Sequence, residues 1–288
     1  MVRGRGPDMV KWLEVRARVE PGEADDVAAL LARFGQGGSA VVEGEEGVFV
    51  QAYLPVDRSL PRKKRQLQVA LGHLSLISSL KLEERVIEED WAEAYKEFFK
   101  PVAIGRLVVK PPWHSYQASP GELVLELEPG LAFGTGHHPT TQMCLRLLEK
   151  HLRPGMEVLD LGTGSGILAL AAALLGARKV LALDIDPQAV KAARANVRRN
   201  GPSRLIQVRL GTLDGEQGGF DLVVANLTAR SLVELASPLL AVLKSPGLLI
   251  AGGIMHDRLE EVRNSLGVGA REVEAASQGD WRTLVLAH

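Results

Sequence analysis

From residue 158 onward, short apolar runs alternate with stretches of helical spacing. Val158-Leu159, Val180–Leu183, Ile206–Leu210, Phe220–Leu227 and Leu248–Ile254 are the apolar runs. Ile167–Gly176, Pro187–Arg199, Ala229–Leu243 and Asp257–Leu266 carry the helical periodicity between them. That alternation predicts parallel strands joined by helices. Two further strands, near 271–276 and 281–287, end the chain as a hairpin.

The first third follows another rhythm. Lys11–Val19 alternates polar and apolar residues as a half-buried strand does, and Glu23–Phe34 has helical spacing that stops at Gly35. Ala40–Val42 and Val48–Val50 flank the turn EGEEG as in a hairpin. Pro61–Ile77 reads as a second amphipathic helix and Leu82–Ile87 as a last strand. The order β-α-β-β-α-β predicts a small ferredoxin-like α+β domain over 9–90, read as a recognition module. Trp91–Pro101 (WAEAYKEFFKP) places Trp91, Tyr95 and Phe98 on one face of an interdomain linker helix over 91–106, read as packing between domains in preference to a direct substrate role. Residues 107–288 form the second domain, with two short strands between Leu107 and Leu127.

Chemistry concentrates in VLDLGTGSGILALAAALLGARKVLALDID, Val158–Asp186. Gly162, Gly164 and Gly166 follow a strand and precede a helix, and Asp184 ends the next strand. This is a nucleotide site at the carboxyl ends of parallel strands. Glycines let the backbone bend sharply and let a ligand approach with no Cβ in the way. A dinucleotide fingerprint needs Gly or Ala where Ile167 stands, and Asp160 would repel a pyrophosphate. Asp160 suits a cationic or zwitterionic ligand, and the D-x-G-x-G-x-G pattern resembles motif I of the class I methyltransferases. S-adenosylmethionine is the expected cofactor, with Asp184 accepting from its ribose hydroxyls.

The chain of 288 residues is long enough for two domains, and 46 % hydrophobic residues allow a substantial core. A net charge of −1 gives no overall pull toward nucleic acid, so no stable nucleic-acid binding is expected. The one cysteine, Cys144, excludes an intrachain disulfide, fits a reducing cytoplasm and reads as a buried small hydrophobe. No apolar segment approaches a membrane span, and MVRGRGPD reads as a short disordered extension over 1–8. No Cys/His metal cluster is visible. Arg62-Lys63-Lys64-Arg65 reads as a solvated helix start, with contact to RNA or an acidic protein face as the other reading. Lys191, Arg194, Arg198 and Arg199 receive no role.

A second distinctive stretch is PGLAFGTGHHPTT, Pro129–Thr141, with Pro139 placed to start a helix. Together with DLGTGSGILALAA, LDIDPQAV, VVANL, the W…FKP junction and GDWRTLVL around Trp281, it resembles the bacterial methyltransferases of ribosomal protein L-eleven, the PrmA family. The resemblance runs over nearly the whole chain from Met9. It implies a class I methyltransferase fold with a Rossmann-like, seven-stranded mixed sheet whose last strand is antiparallel. It implies that Gly162, Gly164 and Gly166 line the methionine end of the cofactor, with Asp160 beside the amino group and Asp184 on the ribose. Thr135, Gly136 and His138 would form the loop over the cofactor, and Asn226 would lie beside the transferable methyl. His138 has a second reading, fixing the loop by hydrogen bonding; Asp186 reads as an N-cap; Asn226 has the alternative of a satisfied turn residue. Two positions depart from the family: His137, often Thr, gets no role, and Gly252 stands where many members have Ser.

The implied activity is methylation of lysine ε-amines and the N-terminal α-amine of a large-subunit ribosomal protein, by a cytoplasmic monomer. Asn226 is followed by Leu227 and Thr228, not by the N-P-P-Y continuation used on planar acceptors, which favours an sp³ amine. A small-molecule amine methyltransferase and a non-catalytic cofactor-binding assembly factor are the competing readings. The N-terminal module favours a macromolecular substrate over the first, and the intact glycine turn, Asp184 and Asn226 oppose the second.

Overall fold

A computed structural model describes residues 12–19, 27–28, 30–31, 34, 39–44, 47–57, 59–73, 82–87, 100–128, 136–201, 204–213 and 218–288. The described residues fall into two compact units, one before residue 100 and one from Lys100 on. The expected extension over 1–8, the junction helix through Phe99 and Thr135 lie outside the described residues.

In the first unit, β1 (Trp12–Val19), β2 (Ser39–Gly44), β3 (Gly47–Pro55) and β4 (Leu82–Ile87) form one four-stranded sheet in the order β2-β3-β1-β4. All three pairings are antiparallel, the split β-α-β arrangement that the sequence predicts. Residues 27–28 and 30–31 are helical, and α1 (Leu60–His73) follows β3. Leu13, Val15, Ala17 and Val19 alternate inward along β1 against Val27, Leu31 and Leu67. That period of two fixes the register, since a slip of one residue would turn this row to solvent.

The second unit holds a seven-stranded sheet in the order β10-β9-β8-β11-β12-β14-β13. The strands are β8 (Glu157–Leu161), β9 (Lys179–Asp184), β10 (Ile206–Leu210), β11 (Phe220–Asn226), β12 (Leu243–Met255), β13 (Arg271–Gln278) and β14 (Trp281–Ala287). Five strands run parallel from β10 to β12, and β14 lies antiparallel between β12 and β13. This is the class I methyltransferase sheet.

Both faces are covered. Val158, Val180, Ala182, Val208, Leu222 and Val224 face α2 (Pro139–His151), α3 (Ile167–Leu174) and α4 (Pro187–Asn200). Leu159, Leu161, Leu181, Val223 and Leu249 face α5 (Ala229–Glu234), α6 (Ala236–Ala241) and α7 (Leu259–Leu266). Strands buried on two faces explain the unbroken apolar runs. α3 (ILALAAAL) is buried on nearly all sides, which suits its lack of any polar face.

Two expectations need correction. The single helix over Ala229–Leu243 is two helices that meet at Leu235. Pro238 has no N–H and its ring excludes a helical carbonyl four residues earlier, so it fits only in the first turn of a new helix. The linker over 91–106 ends sooner, because β5 (Val102–Ile104) pairs with β6 (Leu107–Lys110). β6 and β7 (Leu123–Glu126) are the two short strands expected between Leu107 and Leu127, and with β5 they make a three-stranded sheet. Arg194 and Arg199 are exposed and bond within the fold: Arg194 Nη2 donates to the Val208 carbonyl at 2.9 Å and Arg199 Nη2 to Glu128 at 2.6 Å. Among the described residues, no helix is long and apolar enough to cross a membrane.

Candidate active site

The carboxyl ends of β8, β9 and β11 bring the sequence candidates to one edge of the sheet. After β8 the chain turns through Gly162 (φ 73°), Gly164 (φ 54°) and Gly166 (φ 85°), all left-handed, a region that other residues reach only with strain. Space adds a second requirement. A Cβ on Gly162 would stand 2.4 Å from Leu227 Cδ2, and one on Gly166 3.2 Å from the Ala193 backbone. The turn is thus seated between the end of β11 and the side of α4.

Two carboxylates hold this turn. Asp184 Oδ2 accepts the Gly164 N–H at 2.9 Å, and its Oδ1 accepts the Asp186 N–H at 2.9 Å. Its side chain is partly exposed, so lone pairs remain for a ligand. Asp160 lies beneath the turn with 0 % exposure. Its Oδ2 accepts from Thr163 Oγ1 at 2.6 Å and from the Ala169 N–H at 3.0 Å, while Oδ1 is buried with no partner among the described residues. Burial pushes the Asp160 carboxyl up to about 7, although the two donated hydrogen bonds pull the other way.

The Gly136–His138 segment stands beside this turn. A Cβ on Gly136 would meet Val109 at 3.2 Å and Ile167, the first residue of α3, at 3.4 Å. His138 caps α2: its Nδ1 accepts from the Thr140 hydroxyl at 2.8 Å and the Thr140 N–H at 3.4 Å, leaving the ring proton on Nε2. Its ring meets Trp281 edge-on with centroids 4.9 Å apart. Burial lowers its pKa to about 4, so the ring is neutral at physiological pH. Pro139 follows at the first helical position, and Asp186 caps α4 by accepting the Gln188 N–H at 2.8 Å.

Asn226 ends β11. Its Nδ2 donates to Thr141 Oγ1 at 3.4 Å, and its Oδ1 lies over Gly252-Gly253, 3.1 and 3.2 Å from where their Cβ atoms would stand. The β12–β14 register shifts at the same glycines, which re-aims the end of β12 next to Asn226.

The sequence left some contributors unmarked. Gln142 donates to the carbonyls of Gly136 at 3.3 Å and His137 at 3.2 Å, and accepts from Gln278 at 3.4 Å. Trp281 was visible only as part of a pattern. Neither carries a local signal: Gln142 bonds backbone carbonyls, which any polar side chain could do, and Trp281 meets His138, far away in sequence.

The model of the family "Ribosomal protein L11 methyltransferase (PrmA)" matches residues 11–288. The chain belongs to that family. The ribosomal protein L11 methyltransferase of Chloroflexus aurantiacus is 42 % identical over 318 residues, covering 95 % of this chain and 97 % of the relative. That of Pelotomaculum thermopropionicum is 39 % identical over 303 residues, covering 96 % and 98 %. The crystal structure of a ribosomal protein L11 methylase from Lactobacillus delbrueckii subsp. bulgaricus superposes with a TM-score of 0.60 at 32 % identity. It covers 66 % of this chain and 97 % of that one. Within this PrmA chain, Gly252 has a steric reason: a Cβ there would stand 2.5 Å from Cys144 Sγ. Cys144 is fully buried, and burial pushes its thiol up to about 12, so it is a packing group.

Proposed function

We propose that the enzyme transfers methyl groups from S-adenosylmethionine to amines of ribosomal protein L11, on lysine ε-amines and on the N-terminal α-amine. Family membership over residues 11–288 supports the reaction class and the protein substrate. One observation carries the cofactor: an acceptor-rich glycine turn, Asp184 and Asn226 converge on the carboxyl edge of the sheet, where open α/β sheets bind ligands.

S-adenosylmethionine supplies a methyl group activated on a sulfonium. The residues present fit it. The backbone through Gly162–Gly166 admits close approach, the bare Asp160 Oδ1 suits an ammonium, and Asp184 accepts from ribose hydroxyls. His138, neutral at pH 7, adds no second cation beside the site. Asn226 Oδ1 accepts a hydrogen bond from the incoming amine and sets the direction of its lone pair. The protein's main contribution is alignment and exclusion of water. Deprotonating a free lysine of pKa about 10.4 at neutral pH costs roughly 4–5 kcal/mol. Burial of the amine beside positive charge reduces that cost, so the site needs no strong general base.

The first unit is read as the recognition module for the protein substrate, since a small amine needs no second domain. A reducing, cytoplasmic setting accords with the single Cys144. Replacing Asp184 by Ala tests the cofactor site. Lost ribose bonds weaken S-adenosylmethionine binding by about 1.5–3 kcal/mol each, read by calorimetric titration. Unchanged affinity removes Asp184 from the site.

A further inference from the structure

The geometry points to Asn196 as a positioning residue that ties the glycine turn to the segment leaving β7, and so sets the affinity for S-adenosylmethionine; the inference rests on the cofactor reading above. Asn196 lies on the inner face of α4 and is 3 % exposed. Both ends of its carboxamide are engaged. Nδ2 donates to the Ser165 carbonyl at 2.9 Å, and Oδ1 accepts the Glu128 N–H at 3.2 Å. Ser165 sits between Gly164 and Gly166, and Glu128 is two residues past the end of β7.

The neighbouring turns of α4 complete the junction. Ala193, one turn earlier on the same face, is the residue against which Gly166 packs. Asn200, one turn later, accepts the Glu126 N–H through Oδ1 at 2.7 Å and returns Nδ2 to the Glu126 carbonyl at 2.7 Å. β7 is an edge strand, paired on its other side by β6. Asn196 and Asn200 therefore stand in for the missing neighbour strand, satisfying backbone groups that would otherwise lie open. Arg199 on Glu128 (2.6 Å) and Lys110 on Glu126 (2.6 Å) fix the side chains of the same two residues.

The chemistry singles out an amide. Asn offers a donor and an acceptor from separate atoms; Asp of the same size keeps only the acceptor, and Leu keeps neither. The need for such a tether follows from the turn itself. Glycines have the most backbone freedom to lose, and each one ordered only on binding subtracts from affinity. A buried bond to Ser165, flanked by two of these glycines, removes that freedom before the ligand arrives.

The test uses the full-length protein with S-adenosylmethionine and ribosomal protein L11. In Asn196→Ala, the Kd and KM for S-adenosylmethionine rise about tenfold or more, while kcat at saturating cofactor and KM for L11 stay within about threefold. Asn196→Asp, which keeps the volume and the Glu128 bond but sets an oxygen against the Ser165 carbonyl, shifts the same constants the same way. It carries the test if the alanine variant does not fold. Loss of kcat with an unchanged KM for the cofactor, the mark of a reduced folded fraction, overturns the inference, as does wild-type affinity in either folded variant. Asp184→Ala, titrated alongside, separates two failures. If it also binds normally, the cofactor reading fails; if it alone loses affinity, only the role of Asn196 fails.

Discussion

In the proposed site Asp160 would serve folding and binding at once. Oδ2, with two donors, organises the turn; Oδ1, with none among the described residues, is the atom the proposal gives to the ammonium of the ligand. The pH dependence follows. Folding raises this carboxyl from its ordinary 3.8 to about 7, so between those values the folded state holds more proton than the unfolded. Its contribution to stability is full below the ordinary value, falls as pH rises toward 7, and levels off above it. In Asp160→Asn the amide oxygen keeps the Thr163 and Ala169 donors, and an NH₂ replaces Oδ1. The ligand-free variant should gain on wild type in urea midpoint between about pH 5 and about pH 8. Its affinity for S-adenosylmethionine should fall by about 1.5–3 kcal/mol, because a donor now faces the ammonium. A stability difference between variant and wild type that does not change with pH would show that Asp160 is not held protonated by burial. The residue's type and place were legible in the D-x-G-x-G-x-G spacing, but its complete burial was not. Asn196, Gln142 and Arg199 were not legible at all: on a helical wheel each is an ordinary polar residue, and its meaning comes from a carbonyl or carboxylate elsewhere in the chain.

At the scale of elements, the strands of the parallel sheet were readable because burial on both faces leaves an unbroken apolar signal. Ile206–Leu210 and the ends of the final hairpin came out close to their predicted bounds. What escaped was short or interrupted. β5 has only three residues before a glycine turn, too few for a period to register. The break between α5 and α6 is a proline effect hidden inside a continuous helical pattern. The contact of α2 with β12 was equally hidden, since Cys144 and Gly252 are far apart in sequence. It yields a prediction. Gly252→Ser drives a side chain into Cys144 Sγ and should destabilise by about 1–3 kcal/mol, the range for overpacking. Adding Cys144→Ala frees that volume and should restore part of the loss, giving a favourable coupling of about 0.5–3 kcal/mol in a denaturation cycle. Additive effects would mean that the two positions do not share the space.

For the whole molecule, the division into two units was visible as a change of rhythm, from alternation with a hairpin to strand-helix repetition. The order β2-β3-β1-β4 matches the ferredoxin-like expectation, and the antiparallel β14 inside the larger sheet matches the hairpin ending. The role of the smaller unit is a proposal that rests on its presence, since a small amine needs no second domain. A chain beginning at Lys100 should bind S-adenosylmethionine with an affinity within about threefold of the full chain, yet fail to methylate L11. Full activity of the shortened chain on L11 would end the recognition role.

The most direct test is single-turnover methylation of ribosomal protein L11 at saturating S-adenosylmethionine, followed by mass spectrometry of the intact protein and its peptides. The account predicts methyl increments on L11 amines with the wild-type enzyme. In Asn226→Ala the rate should be lower by roughly ten- to a thousand-fold, at about 1.4 kcal/mol per tenfold, with cofactor affinity within a few-fold. An enzyme that binds S-adenosylmethionine and leaves L11 unmodified would contradict the assigned reaction, and a wild-type rate from Asn226→Ala would contradict the place given to that side chain.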